Sequence, residues 1–224
     1  MSKSEELGLS SGMGRVEYAY HLMAKDCGIE MAKCRLLEEG GRAHFMTRRF
    51  DRPGGGEKLH IQTLNAIARM SYKLIDTHYY EQLFSVIREM RLPYSAIEQQ
   101  FRRMVFNVVA KNCDDHTKNV SFLMDNNGNW SLSSAYDITY AYNPSGYWNR
   151  RHLMGMNGKF DDFTGKDLEK VGVAEGIRNR NRIIEQICDV VGQWPEYARL
   201  AGIDKILYEK IGAVHETHIN QKQR

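Results

Sequence analysis

The sequence predicts an α+β fold in which helices dominate, and two patterns lead to this prediction. After residue 60, apolar residues recur at the spacing of three and four that is typical of helices that bury one face. Before residue 60, two short apolar runs lie on either side of a Glu-Gly-Gly-Arg turn, which is the pattern of a β-hairpin. We therefore divide the chain into a smaller unit, 1–57, with a helix and the hairpin, and a larger helical unit, 58–224.

The composition excludes several classes of protein. The 224 residues fit one large domain or one domain with a small appendage. Because 31 basic and 28 acidic residues leave a net charge of only +3, we predict no direct binding to nucleic acid, which needs a concentrated basic surface. The four cysteines form no Cys-x-x-Cys pair, which favours a reducing, cytoplasmic setting. The sequence has no secretory signal and no run of about 20 apolar residues, so we predict no membrane segment.

The smaller unit begins with a predicted helix and continues with the hairpin. From Arg15, apolar residues fall near one helix face, and Gly28 ends the helix, as glycine often does. The hairpin has strands at 34–37 and 44–47 around a turn at 39–42.

The glycine run at 52–57 has two interpretations. Its sequence, RPGGGE, resembles a phosphate-binding loop, yet it lacks the Gly-Lys-Ser/Thr that marks a Walker motif. We therefore predict a flexible turn at this place.

The larger unit is predicted to be built around one buried helix. Residues 94–112 carry apolar side chains over a broad face, which is typical of a helix surrounded by protein. Two short strands follow at 120–124 and 130–133, around an Asp-Asn-Asn-Gly-Asn turn. That turn resembles half an EF-hand, but Gly128 is out of register and Tyr136 stands at the position of the bidentate Glu, so we predict a hairpin turn. The other predicted helices are 60–71, 79–90, 164–170, 176–191, 195–201 and 203–217.

A polar loop, NCDDHTKN at 112–119, separates the buried helix from the first of these strands. Within it, Asp114 and Asn119 are five residues apart, which is the separation of the catalytic Asp and the metal-binding Asn in the protein-kinase pattern H-R-D-x-x-x-x-N. Phosphoryl transfer needs a carboxylate that accepts the proton of the attacking hydroxyl, together with oxygen ligands for Mg²⁺. Asp137, at the end of the second strand, is placed to be the second metal ligand.

Two further side chains complete the predicted site. Lys118 precedes Asn119 and can stabilise the charge on the transferred phosphoryl group. His116 can fix Asp114 or the loop backbone through a hydrogen bond. The same residue types also describe a plain capped loop, and a bare Asp-x-x-x-x-Asn occurs often by chance. The buried helix before the loop and the strand that leads to Asp137 favour a phosphotransferase site.

The chain also resembles the HipA family of toxin kinases at these residues. That family carries a loop Thr/Cys-Asp-x-His-x-Lys-Asn, then an apolar strand, and then a Tyr-Asp pair. The likeness extends over about 15–217, and the loop together with the RFDR segment is specific. The matching segments are VEYAYHLMAKDCGI (16–29), RRFDR (48–52), CDDHTKN (113–119), VSFLM (120–124), AYDIT (135–139) and HLMGMNGK (152–159).

The resemblance implies a divergent serine/threonine kinase that uses ATP and Mg²⁺. The larger unit would be a protein-kinase-like C-lobe, and the hairpin a remnant of the N-lobe. By this resemblance Asp114 is the catalytic base, with His116 and Lys118 beside it. Asn119 and Asp137 are the Mg²⁺ ligands. The backbone of Thr47, Arg48 and Phe50 binds adenine, with the Phe50 side chain beside the ring.

The resemblance also implies partners. In this family the kinase is the toxin of a toxin–antitoxin pair, and the antitoxin is a small helix-turn-helix protein. A known substrate class is aminoacyl-tRNA synthetase, which is phosphorylated at a serine.

The chain departs from the family at its N-terminus. HipA kinases have a phosphate-binding loop and a strand Lys before the first helix, whereas only 14 residues precede Arg15 here. The stretch GLSSGMG at 8–14 and Lys3 do not fit those roles, and Arg48 stands at a position that is often acidic in the family. We expect a separate N-terminal HipA-like subunit, a truncated chain, or a chain that binds nucleotide poorly.

Two functional classes follow. The first is an ATP-dependent kinase, because the Asp114, Asn119 and Asp137 set is intact. The second is a catalytically impaired module that only binds an antitoxin or a missing N-terminal subunit, because the usual phosphate clamp is incomplete. A helical domain with a chance motif is disfavoured by the length of the resemblance.

Overall fold

The structure is a computed structural model that describes residues 12–221. Lys3 and most of GLSSGMG lie outside the described residues. Eight α-helices and seven short strands within 12–221 confirm the predicted α+β class with a majority of helix. The helices are α1 (Met13–Asp26), α2 (Leu64–Ile67), α3 (Tyr80–Glu89), α4 (Tyr94–Val109), α5 (Gly165–Ala174), α6 (Arg180–Gly192), α7 (Trp194–Ala201) and α8 (Lys205–Gly212), with a 3₁₀ turn at Ile219–Gln221.

Three small sheets lie among the helices. One is the antiparallel hairpin β1–β2, one has the order β3–β5–β6 and is antiparallel, and one is the parallel pair β4–β7. The strands are β1 (Cys34–Glu39), β2 (Arg42–Thr47), β3 (His60–Thr63), β4 (His78–Tyr79), β5 (Ser121–Met124), β6 (Trp130–Leu132) and β7 (Met154–Gly155).

Glycines end the first helix and form the turn of the hairpin that follows it. Helix α1 ends as predicted, because Gly28 adopts a φ of 73° and the amide of Ile29 then bonds to the carbonyl of Ala24. In the hairpin, Gly40 and Gly41 have φ values of 56° and 75°, which a two-residue turn that matches strand twist requires. The register runs from Cys34 opposite Thr47 to Glu39 opposite Arg42.

The helix predicted over 60–71 is wrong in its first half. His60–Thr63 is a strand, and only Leu64–Ile67 is helical. The cause lies elsewhere in the chain, because β5 offers its backbone to this segment and pairs His60 with Met124 and Thr63 with Ser121. A partner strand overrides a weak helical pattern.

The buried helix predicted over 94–112 is α4, which ends three residues earlier, at Val109. Its side chains contact the N-terminal helix directly, since the rings of Tyr20 and Phe106 lie 6.0 Å apart at 89°. Tyr20 also packs against Trp194 of α7. Helix α1 therefore shares one hydrophobic core with the C-terminal helices. The division at residue 57 stays a prediction.

Candidate active site

Backbone and side-chain hydrogen bonds attach the polar loop at 112–119 to the residues around it. It leaves α4 through Lys111, whose φ of 53° turns the chain, and the amide of Asn112 bonds back to the carbonyl of Asn107. In its middle, the Thr117 hydroxyl donates to the carbonyl of Met70 at 2.7 Å. The loop is thus a fixed turn on the end of the central helix.

The two ends of the predicted motif meet across this turn. Nδ2 of Asn119 donates to the backbone carbonyl of Asp114 at 2.8 Å. This bond uses the amide nitrogen, so Oδ1 of Asn119 is the atom left for another ligand. The separation of five residues therefore joins the two positions directly, as the sequence pattern requires.

Asp137 lies at the same cavity as Asn119, although it belongs to a different segment of the chain. It follows β6 and lies on the wall of a cavity of about 20 Å³, the loop cavity, which Asn119 also lines. Its φ of 56° is in the left-handed region, which turns the chain sharply after Tyr136. The Tyr136 hydroxyl donates to the carbonyl of Lys118 and fixes the segment against the loop. The structure thus brings both predicted metal ligands to one cavity.

His116 and Lys118 lie around one aromatic ring. The ammonium of Lys118 is 3.7 Å from the ring centroid of Tyr72, and the His116 ring packs against Tyr72 with centroids 5.6 Å apart. Nε2 of His116 is 3.7 Å from Oδ1 of Asp114, which is longer than a hydrogen bond. The backbone of His116 is bonded to Asn119, because the backbone amide of Asn119 donates to the His116 carbonyl at 2.8 Å.

The predicted adenine segment lies beside the strand that leads to Asp137. The Phe50 ring packs on Tyr136 with centroids 5.5 Å apart. The amide of Arg48 continues the hairpin by donating to the carbonyl of Lys33 at 2.8 Å, and Oγ1 of Thr47 accepts from the Cys34 thiol at 3.3 Å. Within 12–221, the carbonyl of Arg48 and the amide of Phe50 make no backbone hydrogen bond. A cleft of about 280 Å³ opens at these residues.

Asp115, the second carboxylate of the motif, is the residue that sequence reasoning missed. It is 4% exposed and accepts hydrogen bonds from the Tyr80 hydroxyl at 2.7 Å and from the amide of Leu153 at 2.7 Å. Nδ1 of His152 lies 3.0 Å from its Oδ2. The only signal in the sequence was the doubled Asp, since the three partners lie far away along the chain.

Asp115 and His152 form a buried ion pair. Burial alone would raise the pKa of Asp115, but the charge and hydrogen bond of His152, together with the hydrogen bonds of Tyr80 and Leu153, outweigh burial and hold that pKa below its usual range. For His152, burial lowers the pKa, but the neighbouring Cys113 and Asp115 outweigh it and raise the pKa to about 10. The imidazole is therefore protonated and the carboxylate ionised at neutral pH.

This pair extends into a buried polar chain. Nδ2 of Asn107 donates to the Tyr80 hydroxyl at 3.1 Å, and Nδ2 of Asn112 donates to Oδ1 of Asn107 at 3.0 Å. The chain runs from the start of the loop through α4 and α3 to Asp115 and His152. It connects the loop to the segment that carries β7.

The donor atoms at the loop cavity fit Mg²⁺ in kind. A carboxylate from Asp137 and an amide oxygen from Asn119 are hard oxygen ligands, which Mg²⁺ prefers. Within 12–221 no group of three or more His, Cys, Asp and Glu side chains is arranged to hold a metal. A Mg²⁺ ion here would take its other ligands from phosphate oxygens and water, as is usual in phosphoryl-transfer sites.

Comparisons with known proteins show the family and the fold of this chain. The HipA-like C-terminal domain profile matches residues 3–194. A similar fold occurs in a complex of HipA, HipB and operator DNA from a toxin–antitoxin system of Shewanella oneidensis MR-1. The matched HipA chain is 19% identical to this chain, with a TM-score of 0.68. The match covers 92% of this chain and 54% of that chain. This chain therefore spans about half the length of that HipA chain. Comparison with curated protein sequences gives no significant match.

A second solved structure has the same fold. The Helicobacter pylori proinflammatory kinase CtkA is 13% identical, with a TM-score of 0.59 over 91% of this chain and 81% of that chain. At such identities the likeness shows the fold alone. In the described part of the chain, no helix has the length and apolar character needed to span a membrane.

Proposed function

Since this chain belongs to the family of HipA-like C-terminal domains, we propose that it is the catalytic part of an ATP- and Mg²⁺-dependent serine/threonine kinase and the toxin of a toxin–antitoxin pair. One observation carries the proposal. Asn119 is bonded to the backbone of Asp114 and shares a cavity with Asp137, so three residues of the phosphotransferase pattern lie at one site.

Each residue has a role that its position supports. Asp114 would accept the proton of the attacking serine or threonine hydroxyl. Asn119 and Asp137 would hold Mg²⁺, which supplies neutralising charge at the phosphates. Lys118 would stabilise negative charge on the transferred group once its ammonium leaves the Tyr72 ring. His116, which lies between Tyr72 and Asp114, would support the base.

The backbone of the predicted adenine segment, 47–50, supports ATP as the nucleotide. The carbonyl of Arg48 and the amide of Phe50 are one acceptor and one donor separated by one residue, and within 12–221 neither has a backbone partner. Adenine presents a donor and an acceptor side by side on one edge, so it matches this pair. The Arg48 side chain donates to the carbonyl of Pro53 at 2.6 Å.

The comparisons support one of the proposed partners, the antitoxin. The Shewanella complex contains HipA, HipB and operator DNA, and we propose a helix-turn-helix antitoxin as the regulator of this chain in the cytoplasm. A separate N-terminal HipA-like subunit, which would supply a phosphate-binding loop and a strand Lys, is a second proposed partner. The proposed substrate is a serine of a protein such as an aminoacyl-tRNA synthetase.

Binding of ATP is the first test. Calorimetry should show ATP binding that depends on Mg²⁺, and Asp137→Asn should abolish the Mg²⁺-dependent part because it removes the charge of the ligand. Asp189→Asn, on the exposed face of α6, is the matched control and should bind as the wild type does. If the wild type shows no Mg²⁺-dependent binding, even with an N-terminal HipA-like subunit present, the kinase proposal fails and the non-catalytic binding module is favoured.

Phosphate transfer is the second test. With radiolabelled ATP and a general protein substrate, Asp114→Asn should lower the rate by about 10²–10⁴-fold, the usual contribution of a positioned base. Binding of ATP should persist in this variant. Transfer that is unchanged in Asp114→Asn would assign the base to another residue.

A further inference from the structure

The cleft at the predicted adenine segment carries more positive charge than a nucleotide base requires. This cleft of about 280 Å³, the basic cleft, is lined by the cationic side chains of Lys33, Arg48, Arg49 and Arg52. We propose that it binds an extended, acidic segment of a protein partner, and that this segment excludes ATP. Binding of the segment is independent of kinase activity, whereas the exclusion of ATP rests on the proposed function.

Most of the charge of the basic cleft has no counter-charge in the described part of the chain. Among the described residues no acidic side chain lines the cleft, and within 12–221 Lys33 and Arg48 form no ion pair. Arg49 and Arg52 share one carboxylate, that of Asp51, at 2.6 and 2.7 Å. Four cations and one carboxylate leave three positive charges, and adenine is neutral at pH 7. The excess charge therefore indicates an anionic ligand.

Three of the four cations are held in place by residues 51–53. Arg49 and Arg52 both donate to the carboxylate of Asp51, and Arg48 donates to the carbonyl of Pro53 at 2.6 Å. A guanidinium has five N–H donors, so each of these side chains keeps donors for a ligand. Because fixed side chains lose less conformational freedom on binding, this arrangement favours the recognition of carboxylates.

The backbone of the basic cleft selects a peptide among anionic ligands. The carbonyl of Arg48 and the amide of Phe50 have no backbone partner within 12–221. In an extended chain the N–H and C=O of one residue point to the same side, so a single peptide residue can donate to Arg48 and accept from Phe50. A phosphate group only accepts and leaves the Arg48 carbonyl unsatisfied. Addition of an extended peptide to an open strand end is a common mode of recognition, and it continues the ladder in which the Arg48 amide donates to the carbonyl of Lys33.

The peptide and ATP compete for the same backbone groups. Adenine and the peptide residue both require the Arg48 carbonyl and the Phe50 amide, so binding of one excludes the other. The phosphates of ATP do not explain the cations, because the proposed function assigns them to Mg²⁺ at Asn119 and Asp137, and neither residue lines the basic cleft. A partner with an acidic, extended segment would therefore inhibit the kinase by covering the adenine segment.

Direct binding of an acidic peptide to the whole chain is the first measurement. The probe is hexaglutamate with blocked termini, titrated by calorimetry at low ionic strength without nucleotide. Lys33→Gln combined with Arg48→Gln should lower its affinity by about tenfold, because two charged contacts are lost. The matched control removes the same charge elsewhere, since Lys170→Gln with Arg178→Gln changes exposed residues on and after α5 and should bind as the wild type does. No binding to the wild type, or equal losses in the two double variants, would overturn the proposal.

Two further probes separate recognition of a peptide from recognition of charge alone. Hexaglutamate with every backbone nitrogen methylated keeps its carboxylates but cannot donate to the Arg48 carbonyl, so it should bind about tenfold more weakly. Inorganic tripolyphosphate should not displace hexaglutamate at an equal concentration of charge. Displacement by tripolyphosphate, or equal binding of the methylated peptide, would assign the basic cleft to phosphate or to charge alone and would reject the peptide.

Competition with ATP is the last measurement. In calorimetric titrations at constant free Mg²⁺, the apparent Kd of ATP should rise in proportion to the hexaglutamate concentration, whereas hexaserine should have no effect. An apparent Kd of ATP that stays constant while the peptide is bound would reject the exclusion of ATP. The proposed function fails in a different way, because a wild type that binds hexaglutamate but no ATP keeps the peptide site and loses the kinase proposal.

Discussion

At the residue scale, Asp115 joins the polar loop at 112–119 to the rest of the molecule. Its two carboxylate oxygens accept hydrogen bonds from Tyr80, from His152 and from the amides of Leu153 and Met154. These donors belong to α3 and to the segment around β7, whereas Asp114, its neighbour in sequence, is at the candidate site. The position of the proposed base therefore depends on a buried charge one residue away.

Removing that charge should destabilise the protein strongly. Asp115→Asn keeps the shape of the side chain but leaves the His152 imidazolium buried without a counter-charge, and loss of one partner of a buried pair costs about 3–5 kcal/mol. The unfolding free energy from urea titration measures the loss. Asp189→Asn, which is exposed on α6, should change it by less than about 0.5 kcal/mol.

A double substitution separates the pair from simple packing. Asp115→Asn combined with His152→Gln removes both charges, so it should cost less than the sum of the single variants, with a coupling above about 1 kcal/mol. Additive losses would show that the ion pair contributes nothing beyond shape.

The raised pKa of His152 predicts a loss of stability in alkaline solution. Its pKa in the folded protein is about 10, above the ordinary value of 6.5. Protonation therefore stabilises the fold below about pH 6.5, and this contribution is lost as pH rises from there to about 10. The slope for one such group is at most about 1.4 kcal/mol per pH unit. Urea titrations at several pH values should show this decline in the wild type and a flatter curve in His152→Gln.

His215 provides the control with the opposite sign. Burial lowers its pKa to about 4, so its contribution to stability is present above pH 6.5 and is lost as pH falls towards 4. His215→Gln should leave the alkaline slope unchanged. An alkaline slope that persists in His152→Gln would assign the titration to another group.

Single residues also show where sequence reasoning reaches its limit. Asp114, Asn119 and Asp137 could be selected because the kinase spacing is local, and the structure brings Asp114 and Asn119 into direct contact. Asp115 could not be selected, because Tyr80 and His152 lie 35 and 37 residues away. A hydrogen-bond network of such long range leaves no periodic signal in the chain.

At the element scale, the hairpin lies unusually close to the helix before it. A Cβ at Gly14 would be 2.3 Å from the carbonyl oxygen of Ala43, so the backbones of α1 and β2 approach within a distance that only glycine permits. The hairpin turn was predictable because Gly-Gly between apolar runs is a local signal. The strand at His60–Thr63 was not, because its partner β5 lies about 60 residues further along.

Two glycines in helices should respond in opposite directions to the same change. Gly14→Ala should destabilise by about 1–3 kcal/mol, because the new methyl group pushes β2 away. Gly192→Ala should stabilise by about 0.4–1 kcal/mol, since a Cβ there would meet only a methyl group of Thr217 at 4.0 Å. Thermal unfolding of both variants tests the pair. A stable Gly14→Ala would mean that the hairpin moves freely on the helix.

At the scale of the whole molecule, the N-terminal helix completes the core of the helical unit. Val16, Ala19, Tyr20, Met23 and Ala24 of α1 are all 0% exposed. The Tyr20 hydroxyl donates to the carbonyl of Ala110 at 2.6 Å, at the end of α4. The apolar periodicity predicted which face of α1 is buried, but it did not indicate that α4 and α7 cover that face.

The predicted boundary at residue 57 can be tested by separating the two units. A fragment of 58–224 would expose the surface that α1 covers, so we expect it to lack a cooperative urea transition and near-ultraviolet circular dichroism. The whole chain, residues 1–224, should unfold in one transition. A fragment that unfolds cooperatively would show that 58–224 is an independent domain.

The left-handed backbone of Asp137 limits how this protein could lose the proposed kinase activity in evolution. A φ of 56° is accessible at low cost to Gly, Asn and Asp, whereas other side chains pay about 1–2 kcal/mol. A lineage that abandons catalysis but keeps the fold for binding should therefore replace this residue by Asn or Gly before Ala or Val. Relatives with Asn or Gly at this place in an otherwise conserved chain would be the signature of binding modules derived from an active ancestor.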